Sequence, residues 1–513
     1  MQTVIRYTPS METHDVTIIG AGVVGNAIAR ELSRTHLHVL VVEKEADTAF
    51  GTSGRNSGVV HSGIHYAPGS ARARFAVQGN RMMEELCDQL SVAYKRIGKL
   101  TVASNEHEVA QLHALKNQGE RNGVEGLRIL NHEGMEQKQP GIAGNQALFS
   151  PSTGIINPIA FTIALGEHAH ANGVEYRFLS EVTAISKDYD DQYEISLRTP
   201  IGNDKIHTQV IINCAGLHAD VIARMTGYDD FTVYPCRGEY YVLDKRLAEE
   251  LNLLIYPVPG AHSGGLGIHL TNTTEGNILI GPSNEYIEDP QDFSSTTEIM
   301  ELLKAEGRAL LPSLETSDFI RSFAGLRPKL NPPSIGGFHD FIIHQHPTHP
   351  RIIHFLGIES PGLTASPALA RHVLELIRDL IPVGMKADWN PSFPMQEGIY
   401  RQPYPLAYYS DEIRHAMLQK DPDFGALLCR CEEISKAEVR SAIRRIFGPI
   451  TLVGIKQRCR TMTGRCQGGF CLSRIISLLE QEFGYPADSH WYKGPKSPLF
   501  SGYLRTTGET YDA

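Results

Sequence analysis

The chain has 513 residues, too many for one compact core, and a prior of about 150 residues per domain predicts two to four domains. Its 48 Lys and Arg against 58 Asp and Glu give a net charge of −10 without a basic block, which argues against a nucleic-acid partner. No apolar run reaches the roughly 20 residues that span a bilayer, and no secretory signal pattern is found, so we expect a cytoplasmic protein. Its eight cysteines are then expected as thiols or metal ligands.

The first predicted elements form a βαβ unit. DVTII at 15–19 indicates a buried strand, the apolar pattern of 24–32 a helix, and HVLVV at 38–42 a second strand that ends at Glu43. The sequence GAGVVG joins the first strand to the helix, and its glycines suit a tight turn, a close pyrophosphate and helix packing: Gly20, Gly22 and Gly25. A carboxylate at Glu43 can bind a ribose, so the three glycines and Glu43 together predict a dinucleotide-binding site. The alternative is a glycine-rich turn that binds no ligand.

Later segments predict two kinds of sheet. Apolar strands at 210–213 and 352–356 alternate with mixed segments such as 239–243 and 278–280. A parallel nucleotide-binding sheet beside a more antiparallel substrate layer produces this mixture. The expected fold class is therefore α/β, with a Rossmann-like domain and an antiparallel-sheet substrate domain.

Three glycine-containing segments bear on the cofactor. GTSGRNSG at 51–58 suits a loop that contacts phosphates and a sugar-like chain, although a plain surface turn has the same composition. IINCAG at 211–216 ends a strand in small residues, and GIESPGLTA at 357–365 can open a helix onto an anion. Because no second GxGxxG occurs, we expect one dinucleotide, not the pair that a flavin reductase using NAD(P)H would need.

These segments resemble a known family. GAGVVG, TSGRNSGVVHSGIHY, NCAG, FAGLRPKL and GIESPGLTASPALA occur in this order within about residues 14–385 and resemble the FAD-dependent D-amino-acid-oxidase-like superfamily. Within it, the chain is similar to the anaerobic-type FAD-dependent glycerol-3-phosphate dehydrogenases and the L-2-hydroxyglutarate dehydrogenases. The resemblance implies FAD, hydride transfer from a substrate C–H to flavin N5, and an antiparallel sheet over the isoalloxazine. The residues that would line FAD are Gly20, Gly22, Gly25, Glu43, Thr52, Ser53, Asn56, Ser57, Gly216, Gly357, Gly362, Leu363 and Thr364.

Candidate catalytic residues follow from the chemistry of hydride transfer. Oxidising an alcohol leaves a proton on oxygen, so a histidine base is useful there. His61 and His65 in HSGIHY and His269 in GLGIHLT lie in segments that resemble the family's flavin-facing ones, although each could be structural. Arg327 in GLRPK offers a planar fork for a carboxylate or phosphate and is expected to bind the substrate anion or the flavin edge. Weaker candidates for this duty are Arg321, Lys329, Arg72 and Arg74.

Five cysteines crowd the C-terminal stretch. Cys429 and Cys431 form C-x-C, and Cys466 and Cys471 follow as C-x-x-x-x-C, which indicates four thiolates around a metal centre. Zinc is the alternative to iron and sulfide, since structural zinc usually uses C-x-x-C pairs. LCRCEEIS and TGRCQGGFC, within about 427–480, resemble the bacterioferritin-associated-ferredoxin-like [2Fe-2S] module. Cys459 lies outside the pattern and is expected to be a spare or buried thiol.

The small module is predicted to be helical. Ser435 and Glu438 form a capping box, and 472–483 indicates a second helix that Gly484 closes. The expected parts of the chain are an FAD-dependent oxidoreductase at 14–395, with FAD-binding parts at about 14–100, 150–230 and 320–385, a linker arm at 396–425, a [2Fe-2S] module at 426–485 and a tail at 486–513.

Together the resemblances imply an FAD-dependent dehydrogenase that oxidises a small anionic secondary alcohol, foremost sn-glycerol 3-phosphate. A [2Fe-2S] cluster would pass the electrons singly to an external acceptor, which is a protein or a quinone-linked subunit. Alternatives are L-2-hydroxyglutarate as substrate, an amino acid or amine as substrate, and a non-catalytic electron-transfer subunit. Attachment to a membrane surface would need a partner.

Overall fold

The computed structural model describes residues 13–187, 192–259, 267–394 and 396–502. The chain divides into two compact units. The larger unit holds residues 13–44 and 48–393, and the C-terminal unit holds 394–502 with residues 45–47. Among the described residues, no helix combines the length and the apolar character that a membrane crossing requires.

The strands of the described residues are numbered in chain order. They are β1 (Thr13–Ile19), β2 (Val39–Val42), β3 (Val59–Val60), β4 (Tyr94–Lys95), β5 (Lys99–Ala103), β6 (Arg128–Asn131), β7 (Gln146–Ser150), β8 (Gly154–Ile156), β9 (Glu175–Arg177), β10 (Glu181–Lys187), β11 (Tyr193–Thr199), β12 (Gly202–Asn213), β13 (Tyr234–Leu243), β14 (Leu254–Pro257), β15 (His269–Asn272), β16 (Ile278–Gly281), β17 (Glu285–Tyr286), β18 (Phe319–Lys329), β19 (Ile342–Gln345), β20 (Ile352–Leu356), β21 (Leu427–Cys429) and β22 (Ile434–Ser435).

The helices are numbered in the same way. They are α1 (Val23–Leu32), α2 (Ala71–Gln89), α3 (Glu106–Arg121), α4 (His132–Glu136), α5 (Pro158–Ala171), α6 (Ala219–Met225), α7 (Thr297–Leu310), α8 (Gly362–Arg378), α9 (Asp411–Lys420), α10 (Lys436–Arg444), α11 (Leu452–Cys459) and α12 (Leu472–Phe483).

The first sheet of the larger unit contains the predicted βαβ unit. Its parallel strands lie in the order β9-β2-β1-β12-β20, and β10, β11 and β19 extend it with antiparallel pairing. All four residues of β2 are buried, as expected for a strand covered on both faces. Gly20 ends β1 with φ +106°, and a Cβ there would lie 2.6 Å from the Cys214 carbonyl oxygen, so this position requires glycine. The Rossmann-like prediction is confirmed.

The second sheet has nine strands and mostly antiparallel pairing. Its order is β17-β13-β16-β15-β14-β5-β7-β6, with β18 paired to β13; β5 and β14 are parallel neighbours. The amphipathic α7 contributes Leu303 to a buried cluster that includes Leu100, Ile255 and Ile280 from three of these strands. This layer confirms the predicted antiparallel-sheet domain beside the parallel one.

The C-terminal unit is small and helical, as predicted. Ser435 and Glu438 cap α10 reciprocally, and α12 ends at Gly484 with φ +70°. Residues 396–425, predicted as a linker arm, lie within this unit, where the Tyr400 N–H donates to Ser441 Oγ (2.7 Å). The Leu406 N–H donates to Glu438 Oε1 (2.8 Å). The Pro- and Tyr-rich composition of this segment indicates a lack of regular secondary structure. It does not reveal hydrogen bonds to residues that lie about 30 to 40 positions away in the sequence.

Candidate active site and cysteine cluster

The glycine loop and the N-terminus of α1 form the first part of the site. Gly22 is the N-cap of this ten-residue helix, which has no capping side chain and no acidic residue in its first turn. Ser53 Oγ accepts a hydrogen bond from the Val23 N–H (2.9 Å), and Glu43 Oε2 accepts one from the Ala21 N–H (2.7 Å). An acid-free helix N-terminus beside a carboxylate at the end of β2 fits the pyrophosphate and ribose of a dinucleotide.

The other residues predicted to line FAD lie on loops that follow the parallel strands. Gly216 follows β12 and Gly357 follows β20, both with positive φ, at the edge where Gly20 follows β1. This edge, the carboxyl ends of parallel strands, is where α/β sheets bind ligands. Gly362, Leu363 and Thr364 form the first turn of α8 after the β20 loop.

The side chains of the 51–58 loop hold the loop itself. Thr52 Oγ1 donates to the Leu326 carbonyl oxygen (2.7 Å), and Asn56 Oδ1 accepts from the Gly58 N–H (2.9 Å). Ser57 is hydrogen-bonded to Tyr240 of β13. These contacts tie the loop to two strands of the second sheet, so it is not a plain surface turn.

Space for a ligand is left around two of the glycines. Among the described residues, a Cβ at Gly51 or Gly216 would meet nothing within 4 Å, and a Cβ at Gly22 would meet only Ser53 Oγ, at 3.2 Å. The N-terminus of α1 therefore leaves room for an anion to approach. The residues present fit FAD, which Gly22, Glu43 and the loops named above would hold.

His269 lies in the second sheet with one ring nitrogen free to accept a proton. Its ring stacks on that of Tyr256, its cross-strand neighbour on β14, with centroids 3.8 Å apart. Nδ1 lies 2.9 Å from the Gly267 carbonyl oxygen, which only accepts, so Nδ1 carries the hydrogen. Nε2 is buried and has no hydrogen-bond partner among the described residues, and burial lowers the His269 pKa to about 3. The ring is therefore neutral, and the lone pair of Nε2 can accept a hydrogen bond from a substrate hydroxyl.

Lys99 on β5 is a buried cation next to the predicted histidines. It is 1% exposed, its Nζ lies 2.8 Å from His65 Nε2, and it lies 4.5 Å from the centroid of the Tyr256 ring. Burial lowers the pKa of Lys99 to about 7 and that of His65 well below its usual range. No carboxylate of the described residues pairs with Lys99, so its charge is available to an incoming anion.

His61 lies in the loop after β3 and faces the β20–α8 loop. Its Nε2 is 3.2 Å from Ser360 Oγ, and its Nδ1 is buried without a partner among the described residues. Burial, and then the charge of Lys99, lower the His61 pKa well below its usual range. His269 and Arg72 also lower the pKa of His61, and His61 and His269 lower that of His65. The structure therefore brings the three predicted histidines close enough to interact electrostatically.

The neighbouring ion pairs leave this place electropositive. Glu359 lies 3.5 Å from Arg72 and 3.7 Å from Lys329, so two buried cations share one carboxylate. Arg327 on β18 is half-buried; its Nη1 donates to Asn284 Oδ1 (2.9 Å) and its Nη2 to the carbonyl oxygens of Ser283 and Arg237. Two of its guanidinium nitrogens therefore hold protein acceptors, while its positive charge lowers the pKa of His269 slightly.

Sequence reasoning missed several residues around the three histidines and ranked others too low. Lys99, Tyr256, Glu359 and Ser360 were not predicted, and the weak candidates Arg72 and Lys329 prove to be buried beside Glu359. The other weak candidate on α2, Arg74, lies over the ring of Phe75. The sequence did contain an indication for Lys99. It begins the mostly apolar strand KLTVA, and a lysine in a buried strand is unusual unless it is functional.

The four predicted cysteine ligands lie together in the C-terminal unit. Cys431 Sγ is 4.0 Å from Cys429 Sγ and 3.7 Å from Cys466 Sγ, and the Cys429 and Cys471 thiols are hydrogen-bonded. Backbone amides of Phe470, Gly468 and Gly469 lower the Cys466 pKa. A set of four thiols supplied with backbone N–H donors fits a [2Fe-2S] cluster.

Cys459 lies apart from these four thiols. It is buried at the end of α11, where Sγ donates to the Ile455 carbonyl oxygen (3.2 Å). The next segment has positive φ at Arg460 and Met462 but not at Thr461. The chain thus makes this turn with non-glycine residues in the left-handed region on either side of Thr461.

The fold and the two sites define a flavin-type oxidoreductase joined to an iron–sulfur module, and comparison with known proteins agrees. The profile "FAD dependent oxidoreductase" matches residues 15–376, and "BFD-like [2Fe-2S] binding domain" matches residues 427–481. The chain belongs to the FAD-dependent oxidoreductase family and carries a [2Fe-2S]-binding domain. Its cofactors are FAD and a [2Fe-2S] cluster, and it is an oxidoreductase that acts on CH–OH groups.

Individual proteins similar to this chain act on hydroxylated anions. A glycerol 3-phosphate dehydrogenase of Caloramator mitchellensis is 37% identical over 92% of this chain and 94% of its own. The mitochondrial L-2-hydroxyglutarate dehydrogenase of Arabidopsis thaliana is 33% identical over 71% of this chain and 84% of its own. The structure of L-α-glycerophosphate oxidase from Mycoplasma pneumoniae with FAD bound is 32% identical, with a TM-score of 0.69 over 75% of this chain and 100% of that one.

Proposed function

We propose that this protein is an FAD-dependent dehydrogenase that oxidises sn-glycerol 3-phosphate to dihydroxyacetone phosphate. The observation that carries the proposal is the buried Lys99, which has no carboxylate partner among the residues that the structure describes and lies beside neutral histidines. A buried uncompensated cation is costly unless it meets an anion. The similarity to a glycerol 3-phosphate dehydrogenase over nearly the whole chain supports a phosphate as that anion.

The residues of the pocket take distinct tasks in this reaction. Lys99 and Arg327 would bind the anionic group of the substrate and so orient its carbinol carbon for oxidation. His269 Nε2 accepts the hydroxyl proton, since the Gly267 carbonyl fixes the required tautomer. His61 and His65 line the same pocket as neutral hydrogen-bonding groups. FAD supplies the hydride acceptor.

The cysteine cluster gives the electrons an exit. Cys429, Cys431, Cys466 and Cys471 would hold the [2Fe-2S] group, which carries single electrons from the flavin toward an acceptor. This favours a dehydrogenase over an oxidase that makes peroxide. The acceptor would be a protein or a quinone-linked subunit of an assembly in the cytoplasm.

L-2-hydroxyglutarate is the second candidate substrate. His269 lies in the segment GIHLT, which resembles the hydroxy-acid dehydrogenases, and one such enzyme is 33% identical over 71% of the chain. Its carboxylates would meet the same cations. The two substrates differ in the size and charge of the group that Lys99 and Arg327 receive.

Anaerobic mixing separates the candidates. The purified protein is mixed in turn with sn-glycerol 3-phosphate, L-2-hydroxyglutarate and a D-amino acid while flavin absorbance is followed. We expect rapid bleaching by glycerol 3-phosphate alone. Bleaching by L-2-hydroxyglutarate alone would assign the second function, and bleaching by neither alcohol would refute both.

A further inference from the structure

The thiols of the cysteine cluster differ in exposure. Cys431 and Cys466 are exposed, whereas Cys429 and Cys471 are buried. A group held by these four side chains therefore reaches the surface of the C-terminal unit on the side of Cys431 and Cys466. Single-electron transfer needs close approach without covalent contact, so this side is where an electron carrier must dock.

Two arginines are fixed next to this edge. The guanidinium carbon of Arg474 lies 3.7 Å from the centroid of the Phe470 ring, and that of Arg430 lies 4.4 Å from it. Arg474 Nη1 also donates to the Phe470 carbonyl oxygen (2.8 Å). Both side chains are exposed, and neither forms an ion pair within the part of the chain that the structure describes. Arg430 and Phe470 each adjoin a cysteine ligand, so these two charges are held at the cluster.

The surface beside these arginines has an apolar part. Leu427, which begins β21, is 53% exposed. A groove next to it is lined by Leu428, Lys436, Arg474 and Leu478. Apolar contact surrounded by charged groups is the usual composition of a protein–protein interface.

The [2Fe-2S] module as a whole is positively charged, like the two arginines. Residues 426–485 contain ten Arg and Lys and five Asp and Glu, a net charge of +5 in a chain of net −10. The remainder of the chain is thus strongly acidic. A negatively charged partner is attracted to this module and repelled elsewhere, which directs its approach.

We propose that Arg430, Arg474 and Leu427 form the docking surface for a one-electron carrier protein whose redox centre is surrounded by Asp and Glu. This inference rests on the proposed electron exit through the cluster and adds the partner's chemistry. One electron leaves at each encounter, with no bond made or broken, so two oxidised carriers are reduced for each substrate oxidised. The guanidinium groups on Phe470 are preorganised, which lowers the entropic cost of pairing with carboxylates.

Binding of an acidic protein to the complete holoenzyme tests the docking surface directly. The probe is an acidic plant-type [2Fe-2S] ferredoxin, and calorimetry gives its Kd at about 20 mM and about 300 mM NaCl, where the Debye length falls from roughly 20 to 6 Å. We expect binding at low salt that weakens at least about tenfold at high salt. In Arg430→Gln/Arg474→Gln, the low-salt Kd should rise by more than about tenfold.

A charge-matched variant is the control. Arg414→Gln/Arg444→Gln removes two exposed arginines of α9 and α10 in the same unit and should change the Kd by less than about threefold. Equal losses in both double variants would overturn the docking surface, because net charge alone would then explain binding. Iron and sulfide are measured in every variant; if Arg430→Gln lowers them, Arg474→Gln alone must still weaken binding for the proposal to stand.

Two further experiments test the class of the docking partner and the proposed oxidation of glycerol 3-phosphate. Arginine-dependent binding to phosphatidylglycerol vesicles without binding to the ferredoxin would overturn the protein carrier in favour of a membrane surface. Flavin bleaching by glycerol 3-phosphate is followed separately. Its absence would refute the proposed substrate and leave the docking result intact.

Discussion

The two sites of the protein treat charge and solvent in opposite ways. In the larger unit, Lys99 is 1% exposed, and His269 and His61 are buried, each with one ring nitrogen that has no hydrogen-bond partner in the described part of the chain. In the C-terminal unit, two of the four thiols and the neighbouring Arg430 and Arg474 are exposed. Hydride and proton transfer need excluded water and fixed geometry, whereas single-electron transfer needs only close approach. The contrast indicates that substrate chemistry belongs to the larger unit and electron exit to the C-terminal unit.

The largest effect should follow from closing the nucleotide site. Gly22→Val places a branched side chain at the N-terminus of α1, where even a Cβ would be 3.2 Å from Ser53 Oγ and where the pyrophosphate must approach. We expect purified protein with little or no flavin by absorbance, yet with normal iron and sulfide. Gly134→Ala in α4, outside the loops assigned to FAD, is the control; its Cβ would meet only side-chain atoms, the nearest Asn131 Oδ1 at 3.3 Å, and flavin content should be unchanged. Full flavin content in Gly22→Val would remove this loop from the FAD site.

The matching change in the C-terminal unit is Cys466→Ser. Loss of this exposed ligand should remove most of the two irons and two sulfides expected per chain, because a hydroxyl is a poor substitute for a thiolate. Cys459→Ser, which alters a buried thiol outside the set, should retain them. Elemental and acid-labile sulfide analysis of anaerobically purified protein decides the result. One zinc per chain without sulfide would contradict the cluster.

Lys99 should set both substrate affinity and its pH dependence. Since anion binding stabilises the ammonium form and its pKa in the fold is about 7, kcat/KM should fall as pH rises above about 7. Lys99→Met should lower kcat/KM at pH 6.5 by roughly 30- to 1000-fold, or about 2 to 4 kcal/mol. Lys99→Arg keeps the charge at every pH and should abolish the alkaline fall.

A stability measurement distinguishes this role from a structural one. Between pH 7 and 10.5 the unfolded chain binds a proton at Lys99 that the folded chain does not, so the free energy of unfolding should rise with pH across this range. Lys99→Met should reduce that rise and be at least as stable as the wild type at pH 6.5. A strongly destabilised Lys99→Met with an unchanged pH profile would mean that Lys99 only supports packing.

Arg327→Lys should have the smallest effect of these changes. An ammonium keeps the charge but cannot reproduce the contacts with Asn284 Oδ1 and the Ser283 carbonyl oxygen at once. We expect a fall in kcat/KM of roughly tenfold, which is about 1.4 kcal/mol. Arg321→Lys on the same strand provides the comparison and should be nearly neutral. Identical kinetics for both variants and the wild type would place Arg327 outside the substrate site.

The structural features that could be predicted from the sequence are those that depend on residues within one short segment. The βαβ unit around Gly20 and Glu43, the capping box at Ser435 and the helix that Gly484 closes each depend on residues close in sequence. Lys99 was not predicted because its neighbours come from elsewhere: β14 pairs with β5 and brings Tyr256 across some 150 residues of chain. Glu359 likewise meets Arg72 only through the fold. The apolar strand that follows Lys99 is a local sign of burial, but it does not show which residues Lys99 meets.

The most direct test of the division between the two units is stopped-flow reduction of the complete protein under anaerobic conditions. Wild type and Cys466→Ser are mixed with sn-glycerol 3-phosphate and then with a one-electron acceptor. The account predicts flavin bleaching at rates equal within about twofold in both proteins, and loss of most onward transfer in Cys466→Ser alone. Loss of flavin bleaching itself in Cys466→Ser, with FAD still bound, would contradict the separation of substrate chemistry from electron exit.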